Sequence, residues 1–138
     1  MVETKDFIKE LKNDSIQIES VVKKCQNFLN YPSSKPTTEY VNQRVNSFSK
    51  NKYQFGYFPS EAELTLFSFE EKQILQKIGV LYKNDFGYTS NFKHHTMVMP
   101  IRDDYGYYIG LICRSILDKE FLKKEQISKY KYSKFVKN

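Results

Sequence analysis

Between Val80 and Ile116 four short β-branched and aromatic stretches, Val80-Leu81-Tyr82-Lys83, Tyr88-Thr89, Thr96–Ile101 and Tyr107–Ile116, are punctuated by Asn84-Asp85-Phe86-Gly87 and Asp103-Asp104-Tyr105-Gly106. Asp, Asn and Gly bend the chain cheaply there, because their side chains bond the turn backbone or leave a positive φ unhindered. Strands joined so closely must run antiparallel. A small, mostly antiparallel sheet is therefore expected in this half of the chain.

The first half is helical in pattern. Ile18, Val21, Val22, Cys25, Phe28 and Leu29 recur at the i, i+3, i+4, i+7 spacing of one helix face within residues 15–29, with Asp14 or Ser15 placed to cap the start. A shorter helical turn carrying Phe7, Ile8 and Leu11 is expected before it. Tyr31-Pro32-Ser33-Ser34-Lys35-Pro36 breaks the pattern, since each proline lacks an amide donor and restricts its predecessor. Thr37 or Thr38 then caps a short helix through Tyr40, Val41 and Arg44. A second short helix is centred on Phe48, and the run Tyr53-Gln54-Phe55-Gly56-Tyr57-Phe58-Pro59 reads as a strand ended by its proline. Ser68-Phe69-Glu70-Glu71 is a capping box that opens a helix over 69–78, with Gly79 at its C-terminal end. Helices followed by a sheet give an α+β fold. With 138 residues the default is one globular domain.

Charge is distributed unevenly. The formal net charge is +6, yet residues 119–138 hold seven Lys against Glu120 and Glu125, so +5 of it lies in the last twenty positions. Clustered cations attract phosphate whatever its sequence. No apolar run approaches the roughly 20 residues of a membrane span, and Met1-Val2-Glu3-Thr4-Lys5-Asp6 is not followed by the apolar core of a secretory signal. No membrane partner and a cytoplasmic location are expected. Cys25 and Cys113 stand 88 positions apart in apolar patterns, which suggests buried thiols rather than a disulfide or metal site.

The chain offers no self-contained catalytic set. His94 and His95 are sequence neighbours whose side chains would leave a strand on opposite faces, so they do not chelate one metal together. Asp103-Asp104 reads as turn chemistry, and Asp85-Phe86-Gly87 lacks the companions of a kinase site. What remains is a basic and aromatic mixture: Arg44, Arg102, Arg114 and the C-terminal lysines interleaved with Tyr130, Tyr132 and Phe135. Cations can neutralise phosphates while tyrosine faces stack unpaired bases. In the strand over 107–116, Tyr108, Gly110, Ile112 and Arg114 share a face, and Gly110 leaves room for another backbone.

Read in order, Glu39-Tyr40-Val41-Asn42-Gln43-Arg44, Phe55-Gly56-Tyr57-Phe58-Pro59, Gly79-Val80-Leu81-Tyr82-Lys83, Met97–Asp103, Ile109–Arg114 and Ser128–Ser133 resemble the N-terminal part of the catalytic core of TOPRIM-type (DnaG-like) DNA primases, in a phage-like version. The resemblance spans residues 37–138, and 18–29 look like the helix preceding that core. It implies a division into 1–36, a helical segment and connector, and 37–138, a core-like subdomain with a basic C-terminal tail. It also implies that Arg44, Arg114 and Lys129, with Tyr130 and Lys131 beside them, bind single-stranded template during RNA primer synthesis for DNA replication. Two departures stand out: Lys131-Tyr132 replaces the family's Leu-Asn, and Ile112-Cys113 replaces a pair of glycines.

Neither a zinc ribbon nor the acidic TOPRIM motifs accompany these residues, so the chain alone is not expected to polymerise nucleotides or to bind a cofactor. Magnesium would belong to a TOPRIM module. The expected partners are single-stranded DNA and a TOPRIM module or a primase or helicase protein. An interaction or regulatory protein with a primase-like fold, binding a host or replication protein, is the alternative that the missing catalytic half motivates.

Overall fold

The computed structural model describes residues 2–136. The apolar face expected over 15–29 is present, with Ile18, Val21, Val22, Cys25 and Phe28 all buried. It belongs, however, to one long helix, α1 (Val2–Phe28), that runs through the expected start. Asp14 and Ser15 do not cap it, because both are engaged from outside the helix. The Asp14 carboxylate accepts from Lys77 Nζ at 2.6 Å, and Ser15 Oγ accepts the backbone N–H of Tyr108 at 2.8 Å. A short polar side chain with a tertiary donor in reach no longer competes for its own backbone.

The prolines break the chain as expected. A single 3-10 turn at Pro32–Ser34 leads into α2 (Lys35–Arg44), with Pro36 in its first turn. The threonines assigned as caps serve elsewhere: Thr38 Oγ1 donates to the Leu29 carbonyl at 2.7 Å, and Thr37 Oγ1 pairs with Thr96 Oγ1 at 2.7 Å. They tie α2 to α1 and to the sheet. Next comes α3 (Ser47–Lys52), capped by Asn46 Oδ1, which accepts from Ser49 N–H. Of the aromatic run that follows, only Gly56–Tyr57 is a strand, β1. The amides before it close α3 instead: Gln54 N–H donates to Asn51 O and Phe55 N–H to Lys50 O, with Gln54 at φ +56°. That is a Schellman closure, the one usually made with glycine.

The Ser68 box forms as read and opens α4 (Phe69–Lys77). Glu71 does more than cap, since it is buried and also takes hydrogen bonds from Lys24 Nζ and Ser20 Oγ on α1. Burial alone would raise its carboxyl, but the bonds from Lys24, Ser20 and the Ser68 amide outweigh it and hold the group below its ordinary value. Gly79, at φ +76°, closes α4.

Two sheets follow. The hairpin of β2 (Leu81–Asn84) and β3 (Gly87–Ser90) stands apart, and β4 (Met97–Arg102) pairs with β5 (Tyr108–Arg114) across the Asp103–Gly106 turn. In that turn Asp103 Oδ1 accepts from the amides of Tyr105 and Tyr107, as the turn reading of the aspartates requires. The basic tail supplies two elements its charge concealed, α5 (Lys119–Lys124) and β6 (Tyr130–Tyr132). The main sheet has order β1-β4-β5-β6, all antiparallel.

One face of that sheet, presenting Val98, Ile109, Leu111 and Cys113, packs under α1, which α4 flanks. Gly56 sets the spacing: a Cβ there would lie 2.6 Å from the carbonyl carbon of Cys25. Burial pushes both thiols, Cys25 and Cys113, above their ordinary pKa, so they behave as apolar core groups. Gly110 meets the close approach expected of it, where the segment 133–135 passes and a Cβ would stand 2.8 Å from Ser133 Oγ.

Candidate nucleic-acid interface

Pairing across the sheet decides which side chains meet. Arg114 lies opposite Met97 on β4 and Tyr130 on β6, while Ile112 lies opposite Met99 and Tyr132. Directly paired residues share a face, so these groups stand together on the side away from α1. Helix α2 leans over them with Tyr40 and Arg44, one helical turn apart. Tyr40, Arg44, Phe55, Met99, Arg114 and Tyr130 line a groove of about 190 Å³.

Its polar wall is a stack of alternating cations and rings. The Arg44 guanidinium carbon is 3.8 Å from the centre of the Tyr40 ring, and that of Arg114 is 5.1 Å from Tyr40 and 5.7 Å from Tyr130. Each such contact is worth on the order of 0.5–2 kcal/mol and, more to the point, fixes a flat guanidinium without using its N–H donors. No carboxylate of the described residues lies within ion-pair distance of either arginine. Arg114 Nε is buried and has no hydrogen-bond partner. Its terminal N–H groups are not buried in this way and make no hydrogen bond among the described residues, so they can meet an acceptor from outside. Two guanidiniums sharing one ring favour an anion.

Of the five residues singled out from the sequence, Arg44, Arg114 and Tyr130 come together in this groove. Lys129 is adjacent and exposed; its carbonyl accepts Ser115 N–H at 2.9 Å, which extends the β5–β6 edge by one position. Lys131 does not join them. Alternation along β6 sends it to the opposite face from Tyr130, paired with Cys113, and its Nζ donates to the Asn91 carbonyl at 2.8 Å. Arg102 is also elsewhere, at the far end of β4, bonded to Gln54 Oε1 and lying 4.6 Å over the Tyr108 ring.

Two aromatic lining residues escaped the reading of the sequence. Tyr40 stands four positions before Arg44 on a helix, a spacing that places ring and cation on one side and could have flagged it. Phe55 gave no local sign, because the αL residue before it decides where it points. His95 proves structural: buried, it donates from Nε2 to the Ser128 carbonyl at 2.7 Å and so anchors the segment that leads into β6. Burial lowers its pKa, which keeps the ring neutral. Among the described residues no group of three or more His, Cys, Asp and Glu could hold a metal ion, and no helix is long and apolar enough to cross a membrane.

The fold has known counterparts. The DnaG primase catalytic domain bound to ssDNA superposes with a TM-score of 0.67 at 23% identity, covering 88% of this chain and 38% of that one. The Aquifex aeolicus primase, in a structure of its zinc-binding and RNA polymerase domains, gives 0.67 at 22%, covering 88% and 29%. The E. coli primase catalytic core gives 0.64 at 24%, covering 86% and 37%. These likenesses establish the fold, and the chain spans under two fifths of the length of each. No curated protein sequence matches it. The model of the family described as the DNA primase catalytic core, N-terminal domain, matches residues 25–136, from the last turn of α1 to the end of the described chain. With its helices, sheet and groove accounted for, the chain belongs to the family of DNA primase catalytic core N-terminal domains.

Proposed function

We propose that this chain holds single-stranded DNA template in the groove between α2 and the outer sheet face, as the template-gripping part of a primase that makes RNA primers for replication. Arg44 and Arg114 neutralise backbone phosphates, Lys129 adds a third cation at the rim, and Tyr130 offers a face to an unpaired base. The observation that supports this most is Arg114, its guanidinium clamped between two rings with no carboxylate partner among the described residues. A phosphate or a base carbonyl would pair with its terminal N–H groups. The metal-dependent chemistry would belong to a TOPRIM module, whose carboxylate-held magnesium would supply charge stabilisation for phosphoryl transfer. That module, or the primase or helicase carrying it, is the protein partner.

Fluorescence anisotropy with labelled single-stranded DNA, titrated over a range of salt, tests the assignment. Binding should weaken steeply with salt, and Arg114→Ala should reduce the magnitude of the log–log slope by about 0.7, the value for one lost phosphate contact on a single strand. Lys131→Ala, on the other face, should leave affinity nearly unchanged. Salt-independent binding, or equal losses in the two variants, would count against the groove.

A further inference from the structure

We infer that the nucleic-acid path continues out of the groove onto α3, where Phe48 and Tyr53 form a second stacking platform for unpaired bases. This extends the proposed template site and rests on that reading. Phe48 is 75% exposed and Tyr53 52% exposed, so neither ring contributes to the core. Lys52 stands between them, its Nζ 5.9 Å from one ring centre and 5.4 Å from the other. Phe55, which lines the groove, lies 6.3 Å from Tyr53, so it links the groove to the end of α3. The left-handed Gln54 makes that link. Held by Tyr108 Oη at 2.9 Å and by Arg102, it turns the chain between the two rings.

Charge selects the occupant. No Asp or Glu occurs between Glu39 and Glu61, while Arg44, Lys50 and Lys52 fall in that interval. Asn46, Asn51 and Gln54 flank the rings in sequence, a polar setting that does not suit a protein core contact or a lipid surface. Exposed rings alternating with lysines suit a polyanion with flat faces, namely an extended single strand of DNA or RNA.

Oligothymidylates of about 4 and about 12 nucleotides separate the groove from the platform, the shorter filling only one of them. Phe48→Ala/Tyr53→Ala should weaken the longer oligomer at least about five-fold and leave the shorter unchanged, the loss expected from one stacked base. Lys52→Glu should repeat that length dependence, and Arg114→Ala should weaken both lengths. The chain has no Trp, so Tyr53→Trp provides a single indole that stacked bases should quench, and only the longer oligomer should do so. If the double variant binds both lengths like the unaltered chain while Arg114→Ala weakens both, the platform is wrong and the groove stands. Equal loss at both lengths in the double variant overturns the platform too. Failure of the unaltered chain to bind either oligomer removes the groove and the platform together.

Discussion

Replacing Gly56 by Ala puts one methyl group between β1 and α1, and its cost can be worked from the contact it would make. The new Cβ would stand 2.6 Å from the carbonyl carbon of Cys25, 2.8 Å from its Cβ and 2.8 Å from its oxygen. Carbon atoms rest about 3.5–4.0 Å apart, so helix and strand must separate by roughly 1 Å. Two of the three atoms are backbone, and no rotamer change relieves them. Withdrawal of α1 would also loosen Val21, Val22 and Phe28, all buried on the same face. Overpacking costs about 1–3 kcal/mol where side chains can adjust, and a rigid helix puts this site at about 3. For a chain of this length that is a fall in Tm of about 10 °C. Thermal unfolding followed by far-UV circular dichroism reads it, and Cys25→Ala should not rescue the variant because the backbone contacts persist. A Gly56→Ala protein melting within about 2 °C of the unaltered chain would refute the close contact and the α1–sheet packing drawn from it.

Two further predictions concern the sheet's last strand. Gln126 closes α5 at φ +57°, with its own amide on the Lys123 carbonyl and that of Ile127 on Leu122 O, the role Gly79 fills after α4. Gln126→Gly removes about 1–2 kcal/mol of left-handed strain and returns part as unfolded-chain entropy, so denaturant unfolding should show a net gain of roughly 0.5–1 kcal/mol; a loss of stability contradicts the closure. His95, buried and neutral, has a pKa below its unfolded value of about 6.5. Its contribution is complete above that value and declines as pH falls toward the folded pKa, because the unfolded chain takes up the proton first. Stability of the unaltered chain should therefore drop as pH falls below about 6.5 and that of His95→Gln should drop less; parallel curves argue against a buried neutral ring.

The elements that depend on neighbours in sequence were legible: the Ser68 box, the turns at 84–87 and 103–106, the helix-breaking prolines and the face from Ile18 to Phe28. Those that depend on distant partners were not. Asp14 and Ser15 carry the local mark of a cap, but Lys77 and the Tyr108 amide claim them, and α1 runs on. Tyr130–Tyr132 is too short and too charged to announce a strand, and it becomes one only because β5 presents an open edge. The groove shows the same division. Arg114 was legible as a cation on a glycine-bearing strand. Its clamp was not, since Tyr40 and Tyr130 lie 90 positions apart and meet through the order of the sheet. Lys131 looked equivalent to Lys129 in the basic tail, and only the register of β6 separates its face from that of Tyr130.

The central claim is that Arg114 and Tyr130 act on one bound strand, and a double-mutant cycle on DNA affinity measures it. Arg114→Ala, Tyr130→Ala and the double variant should give losses that fail to add, with a coupling between about 0.5 and 3 kcal/mol, because each group positions the other against the same nucleotide. Losses that sum to within about 0.3–0.5 kcal/mol would mean that the two side chains work independently, and the shared groove would not be the template site.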